Sequence, residues 1–246
     1  MKPVPYIYQI ERNNKLLVYY GADHSFDPAH KQWQDIKEYF NQFIKKTAGK
    51  NCVVLVEGGG TERKNSESEA IREGGEPLFT TFIANKVGLR SISPEPDEQY
   101  EIIELLKTFS KEQIMHYYFT RLVDQWNRYK TEKPEFESYM NKFLVRYKNV
   151  TKWKDFEFTI KNMKEIHLQL TNKPFAETSE EQMYFMTWPM EYNWISNQVA
   201  AESSKIRNNF IESEIKKYWD YGKNIFIVYG QGHAVENETY LRKNLK

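Results

Sequence analysis

The segment KLLVYYGADH, residues 15–24, decides the architecture, and NIFIVYGQGH, residues 224–233, repeats its design near the other end of the chain. Each is a run of aliphatic and aromatic residues that predicts a buried strand and stops at a glycine. Each then places a histidine three residues after that glycine, His24 and His233. Because ligands of open α/β sheets bind at the carboxyl ends of strands, the pair predicts a composite site at one sheet edge.

The surrounding residues predict an α/β fold with a central mixed, partly parallel sheet flanked by helices. Residues 4–10 and 16–20 predict a hairpin, and residues 53–56 predict a short strand buried on both faces. Apolar residues at helical spacing between 31 and 46 predict the helix that connects two parallel strands. The last strand is expected at 224–228, followed by a closing helix at 236–244.

The pattern predicts three segments within one globular domain. Residues 1–109 form the first α/β half, and residues 201–246 form the second half, which completes the sheet. Residues 110–200 are predicted to be a mainly helical, aromatic-rich insertion or cap, with a loop-rich stretch at 174–189. Its role is left open between a lid, a homodimerisation surface and a partner site.

Composition excludes several classes of function. Lysine and arginine number 35 against 34 aspartates and glutamates, so the net charge of +1 argues against a role in nucleic-acid or membrane-surface binding. No apolar run is long enough for a membrane span. The single cysteine allows no internal disulfide, and the N-terminal residues do not resemble a secretion signal. These features predict a cytoplasmic protein.

A third polar residue is expected at the same sheet edge, because Glu57 directly follows the strand at 53–56. Two imidazoles and a carboxylate are a ligand set suited to zinc, cobalt, manganese or iron. With water in an open position, such a site generates a nucleophile near neutral pH. Without metal, the histidines would serve as general base and hydrogen-bond donor on an attacking water. The glycines at 58–60 are candidates for holding an anion through backbone N–H groups.

The order and spacing of these features resemble the Tiki/TraB/GumN group, which belongs with the erythromycin-esterase and ChaN-like proteins. The resemblance covers most of the chain apart from roughly 110–200. It is carried by six stretches: Gly21–His24, the strand VVLVE ending at Glu57, Gly74-Gly75-Glu76 before a helix, Ser93–Gln99, the pair Arg207-Asn208, and Gly230–His233.

The resemblance implies a metal-dependent hydrolase fold. Some members of this group cleave peptide bonds with divalent cations, others open macrolide lactones without needing metal, and ChaN-like members are linked to iron and haem. It further implies that the guanidinium of Arg207 stabilises an oxyanion or holds a substrate carboxylate. Glu76, Glu95 and Asn208 are implied as substrate-binding residues.

The leading prediction is a divalent-metal-dependent, peptidase-like hydrolase acting on a peptide or a small-molecule ester. Its catalytic residues would be His24, Glu57, Arg207 and His233. His24, Glu57 and His233 would also hold the metal, which is expected to be Mn, Co or Zn. Two alternatives remain: a metal-independent esterase using the same residues, and a non-catalytic haem-binding, iron-binding or regulatory protein.

Overall fold

The computed structural model describes residues 3–58, 64–129, 132–190 and 193–246. The chain divides into two compact units. The first unit comprises Met1–Glu95 and Asn208–Lys246, and the second comprises Pro96–Arg207. The first unit holds the sheet, and the second is helical.

The first unit contains a five-stranded mixed sheet with the order β1-β2-β5-β3-β4. β1 runs antiparallel to β2, whereas β2, β5, β3 and β4 run parallel to one another. The prediction of a mixed, partly parallel sheet is therefore confirmed. The strands are β1 (Tyr6–Arg12), β2 (Lys15–Ala22), β3 (Cys52–Val56), β4 (Ser91–Ile92) and β5 (Asn224–Gly230).

Helices cover both faces of the sheet, because side chains of the central strands alternate between two apolar clusters. In β2, Val18 and Tyr20 pack with α1 (Gln32–Thr47) and α2 (Glu67–Lys86). Leu17 and Tyr19 instead pack with α9 (Gln231–Asn244) and with residues 211–219 of α8 (Ile195–Asp220). A strand buried on both faces needs the uninterrupted apolar sequence seen here.

Close packing at Gly21 leads to a stability prediction. A Cβ at this position would lie 2.7 Å from the Ala234 Cβ and 2.8 Å from the Tyr6 carbonyl oxygen. Gly21→Ala is therefore expected to lower the free energy of unfolding by about 1–3 kcal/mol, measured by urea denaturation. Gly232→Ala is the control, since a Cβ there meets nothing within 4 Å. Equal effects of both substitutions would contradict the packing argument.

The second unit is a helical assembly around its own apolar core. It contains residues 98–109 as well as 110–200, because Ile102 and Leu105 of α3 are buried in this core. Its helices are α3 (Glu98–Leu105), α4 (Lys111–Asn127), α5 (Phe136–Thr151), α6 (Ile160–Thr171), α7 (Glu180–Met186) and the part of α8 up to Arg207.

Helix ends differ from the sequence expectation in two places. The stretch at 174–189 was expected to be loop-rich, but it contains a 3₁₀ turn at Phe175–Glu177 and α7, which begins at a Ser179 capping box. The closing helix begins directly after β5, so His233 lies in its first turn. No helix among the described residues has the length and hydropathy of a membrane span.

Candidate functional site

The carboxyl ends of β2, β5 and β3 meet at one edge of the sheet. Ala22 pairs with Gly230, and Val56 pairs with Val228. The loop after β2 carries His24, the residue after β3 is Glu57, and the first turn of α9 carries His233. Parallel neighbours therefore deliver these three residues to one edge, as the paired segments predict.

Glu57 is held in a defined orientation by the backbone. Its Oε2 atom accepts a hydrogen bond of 2.7 Å from the Gly230 N–H, and its own N–H extends the ladder to the Val228 carbonyl oxygen. The other carboxylate oxygen, Oε1, lies 3.6 Å from the His233 Nε2. Both side chains are about four-fifths buried. One water molecule is able to contact both groups at this separation.

The proton on His233 is directed away from Glu57 by Asn208. The Nδ2 of Asn208 donates to the Glu236 carboxylate, so its Oδ1 faces His233 Nδ1 at 2.6 Å and must accept. His233 therefore carries a proton on Nδ1, and its Nε2 is directed toward Glu57. This arrangement assigns Asn208 the role of a positioning residue for His233.

His24 reaches the same site from the loop after β2, which lies on the other side of β5 from β3 and Glu57. Its Nδ1 is hydrogen-bonded to the Glu76 carboxylate. Its Nε2 and the Glu57 Oε2 both lie within 3.2 Å of the point that a Cβ on Gly230 would occupy. Because an alanine would fill that point, glycine at 230 is what allows His24 and Glu57 to approach each other.

A break in α2 brings Glu76 to His24. Gly74 and Gly75 have non-helical backbone angles, and Gly75 has a φ of +55° that favours glycine. A Cβ on Gly75 would also lie 3.0 Å from the Ser25 carbonyl oxygen. The helix resumes at Glu76 and Pro77, and proline is favoured in a first helical turn. The buried Glu76 carboxylate consequently lies beneath the loop that carries His24.

This contact makes His24 cationic at neutral pH. The Glu76 hydrogen bond and charge raise the pKa of His24 to about 9, although partial burial opposes the shift. Glu57 and Asp23 raise this pKa further. The imidazole side chain of His24 is 65% exposed, whereas the Glu76 side chain is 3% exposed. The buried carboxylate therefore fixes the position at which His24 is held.

A titration of the metal-free protein tests this assignment. We expect the His24 ring protons to titrate near pH 9 by NMR, and near the ordinary value of about 6.5 in Glu76→Gln. Since folding raises this pKa, the stabilisation is full below about pH 6.5 and is lost as the pH rises through about 9. A midpoint unchanged by Glu76→Gln would refute the role of this carboxylate.

Two acids missed by the sequence interpretation lie beside the site. Glu236 follows His233 by three residues on α9, and Glu212 follows Asn208 by four residues on α8. Such spacings place side chains on one helix face, which is the signal that could have found them. Burial, together with the charge of Glu236, raises the pKa of Glu212 to about 7.

The buried phenol of Tyr19 lies within electrostatic range of Glu57, Glu212 and Glu236. Burial raises its pKa, and the charges of Glu57, Glu212 and Glu236 raise it further. Its hydroxyl accepts a hydrogen bond of 3.3 Å from the Asn237 side chain. A neutral phenol therefore underlies a site rich in carboxylates.

The remaining predicted residues have other surroundings. Glu95 accepts a hydrogen bond of 3.1 Å from the Gly58 N–H, so it contacts the loop that follows Glu57. Gly59 and Gly60, predicted to hold an anion, lie outside the described residues. Arg207 belongs to the second unit, where it lines a cavity with residues of α4. Its predicted catalytic role stays a prediction.

Metal ligation was tested against the same geometry. Within the described ranges, no group of three or more His, Cys, Asp or Glu side chains is arranged to hold a metal ion. The donor chemistry does fit one, because an oxygen acceptor engages Nδ1 of both His24 and His233. This outer partner is typical of metal-ligating histidines.

Comparison of the chain with family models, with curated proteins and with solved structures gives no match.

Proposed function

We propose that this protein is a hydrolase in which Glu57 and His233 activate a water molecule for attack on a peptide or ester carbonyl. The observation that carries the proposal is the 3.6 Å separation between Glu57 Oε1 and His233 Nε2. The Gly230 N–H and the Asn208 side chain hold the two groups independently. A base whose orientation is set by a further group is the recurring design of water-activating sites.

His24 supplies the complementary charge in this proposal. As an imidazolium held by Glu76, it presents Nε2–H beside Glu57. A preorganised cationic donor stabilises the oxyanion that forms when water adds to a carbonyl.

A divalent metal, Mn, Co or Zn, is the proposed cofactor. His24, Glu57 and His233 would hold it through the Nε2 atoms and the carboxylate, and in this version His24 would give up its Nε2 proton when the metal binds and act as a ligand, not as an imidazolium. Such an ion supplies Lewis acidity, which polarises a carbonyl and acidifies water. A metal-independent esterase is the second candidate, favoured by the His24–Glu76 contact, since a cationic His24 supplies electrophilic assistance without metal. The resemblance to the Tiki/TraB/GumN group supports both versions.

The proposal is tested with purified protein in metal-stripped form and after loading with Mn, Co or Zn. Each form is assayed against a peptide library and a panel of esters. We expect turnover that His233→Ala lowers by at least about 100-fold, because a positioned base contributes 100-fold or more. His30→Ala is the matched control.

The metal states separate the candidates. Turnover that chelation abolishes and reloading restores supports the metal-dependent peptidase. Ester turnover that persists in chelator supports the metal-independent version. No turnover in any metal state contradicts the hydrolase proposal, and a Soret band on haem titration would then indicate the haem-binding alternative.

A further inference from the structure

The second unit contains a cavity of about 280 Å³ that the hydrolase proposal does not use. Among the described residues, its wall carries three guanidinium groups, those of Arg121, Arg128 and Arg207, and one carboxylate, that of Asp124. The serine Ser204 also lines it. This volume is at the lower end of the range for small-ligand sites.

Two helices build the cavity from regularly spaced residues. On α4, Arg121, Asp124 and Arg128 follow one another at intervals of three and four, which places them on one helix face. On α8, Ser204 and Arg207 are three residues apart. The positive charge is therefore concentrated by helical geometry, although the chain as a whole is nearly neutral.

The charges of this wall are only partly compensated. Asp124 is ion-paired with Arg128 on the same helix. Arg121 has a 3.5 Å contact with the Tyr117 hydroxyl, and among the described residues no carboxylate lies within ion-pair distance of its guanidinium. Glu101 interacts electrostatically with Arg121. The hydrogen bonds of this carboxylate, however, come from Tyr118 and Ser203. Within the described part of the chain, most N–H donors of Arg121 thus have no acceptor.

Aromatic side chains lie next to these guanidinium groups. The Arg128 guanidinium is 5.7 Å from the centre of the Tyr184 ring, and the rings of Tyr184 and Trp188 are 5.4 Å apart. Both rings are about two-fifths exposed. An exposed aromatic pair beside a cationic wall suits a ligand that joins a planar organic part to an anion.

We propose that this cavity binds the phosphate group of a small phosphate monoester. Arginine is the preferred ligand of phosphate oxygens, because its planar donors form paired, charge-assisted hydrogen bonds. Arg121 has no ion-paired carboxylate among the described residues, so its positive charge and its N–H donors suit the anionic oxygens of a monoester near neutral pH. Ser204 adds a hydroxyl donor, and Tyr184 and Trp188 contact the organic part.

Calorimetric titration of the full chain with phenyl phosphate tests the proposal. We expect one-to-one binding that weakens at higher salt, with Kd raised about 10- to 100-fold by Arg121→Gln. The control is Arg146→Gln, which removes an exposed arginine paired with Glu98 in the same unit. Arg146→Gln should leave Kd within about twofold. Circular dichroism and urea denaturation verify that each variant is folded.

Further titrations identify the part of the ligand that is recognised. Inorganic phosphate should bind more weakly than phenyl phosphate, and benzoate, a monoanionic carboxylate, more weakly still. If Arg121→Gln unfolds the chain, Ser204→Ala replaces it, with an expected loss of about threefold or more. Absence of binding at millimolar phenyl phosphate overturns the proposal, as do equal affinities of the Arg121→Gln and Arg146→Gln proteins.

The binding measurement is independent of turnover. Titration of the Glu57→Gln protein should give the wild-type Kd, because Glu57 lies in the first unit and does not line this cavity. Loss of binding in Glu57→Gln alone would place the ligand at the sheet edge and overturn the proposal. Failure of the hydrolase assays leaves this expectation unchanged.

Discussion

Glu57→Gln is expected to reduce hydrolysis by about 1,000-fold or more while leaving the fold intact. The amide can still accept the hydrogen bond of the Gly230 N–H, so the local structure is retained. It loses the negative charge and basicity that the proposed water activation needs, and a general base contributes about 100- to 10,000-fold. The measurement is kcat/KM on the substrate identified by the assays above.

Two further variants make this result specific. Glu38→Gln removes an exposed carboxylate of α1 and should leave kcat/KM unchanged. Gly230→Ala should lower kcat/KM without a large change in stability, because its Cβ would displace only the ends of the His24 and Glu57 side chains. Activity of Glu57→Gln within about tenfold of wild type would refute the role of this carboxylate.

Acid is expected to destabilise the protein steeply because of two buried histidines in the second unit. Nε2 of His116 lies 3.0 Å from Nδ1 of His167, and both side chains are fully buried. Burial lowers the pKa of His116 to about 3, and that of His167 to about 4. A second factor lowers each pKa: protonation of one imidazole disfavours protonation of the other at His116, and the positive charge of Lys173 disfavours the cation at His167.

The hydrogen bonds determine which ring nitrogen carries the proton in each neutral histidine. Thr178 Oγ1 donates to the Pro174 carbonyl oxygen and accepts from His167 Nε2, so His167 Nδ1 accepts from His116 Nε2. Nδ1 of His116 is buried and has no hydrogen-bond partner among the residues that the structure describes. Protonation of this pair would place an unpaired charge in the apolar core.

The direction of the pH effect follows from the lowered values. In the unfolded chain both histidines take up protons below about pH 6.5, whereas in the folded chain they stay neutral until about pH 4 and pH 3. The unfolded state therefore binds more protons, and stability falls as the pH falls from about 6.5 toward 4. The slope reaches about 1.4 kcal/mol per pH unit for each histidine.

Urea denaturation between pH 7 and pH 4 measures this slope. His116→Leu should reduce the slope by about 1.4 kcal/mol per pH unit, because one proton fewer is taken up on unfolding. The variant also removes the hydrogen-bond donor to His167. Met115→Leu, in the same core, should alter stability without altering the slope. A slope that is the same in His116→Leu and in wild type would show that His116 is not kept neutral.

Much of the α/β unit could be predicted because its strands are encoded locally. The runs at 16–20, 53–56 and 225–228 are uninterrupted and apolar, and each lies in a buried strand. The start of α9 was missed because the segment Gln231–His233 carries no helix-forming signal of its own. In the structure, this segment continues β5 directly into a helix whose Ala234 is buried in the same apolar cluster as Tyr229.

The candidate site was only partly visible in the sequence. His24, Glu57 and His233 could be selected because each follows a strand end. Their partners could not, since Glu76 depends on a break at Gly74 and Gly75 inside a helix. Asn208 and Glu236 meet across two helices, a contact that no local pattern encodes.

Local periodicity was therefore enough to specify the strands, most helices and the chain positions of the two histidines and Glu57. The position of β5 between β2 and β3, and the nitrogen that each histidine directs toward Glu57, depend on tertiary contacts. The physical reason is the range of the interactions. Backbone conformation and burial act over a few residues, whereas sheet order and hydrogen-bond pairing join residues as far apart as Glu57 and Gly230.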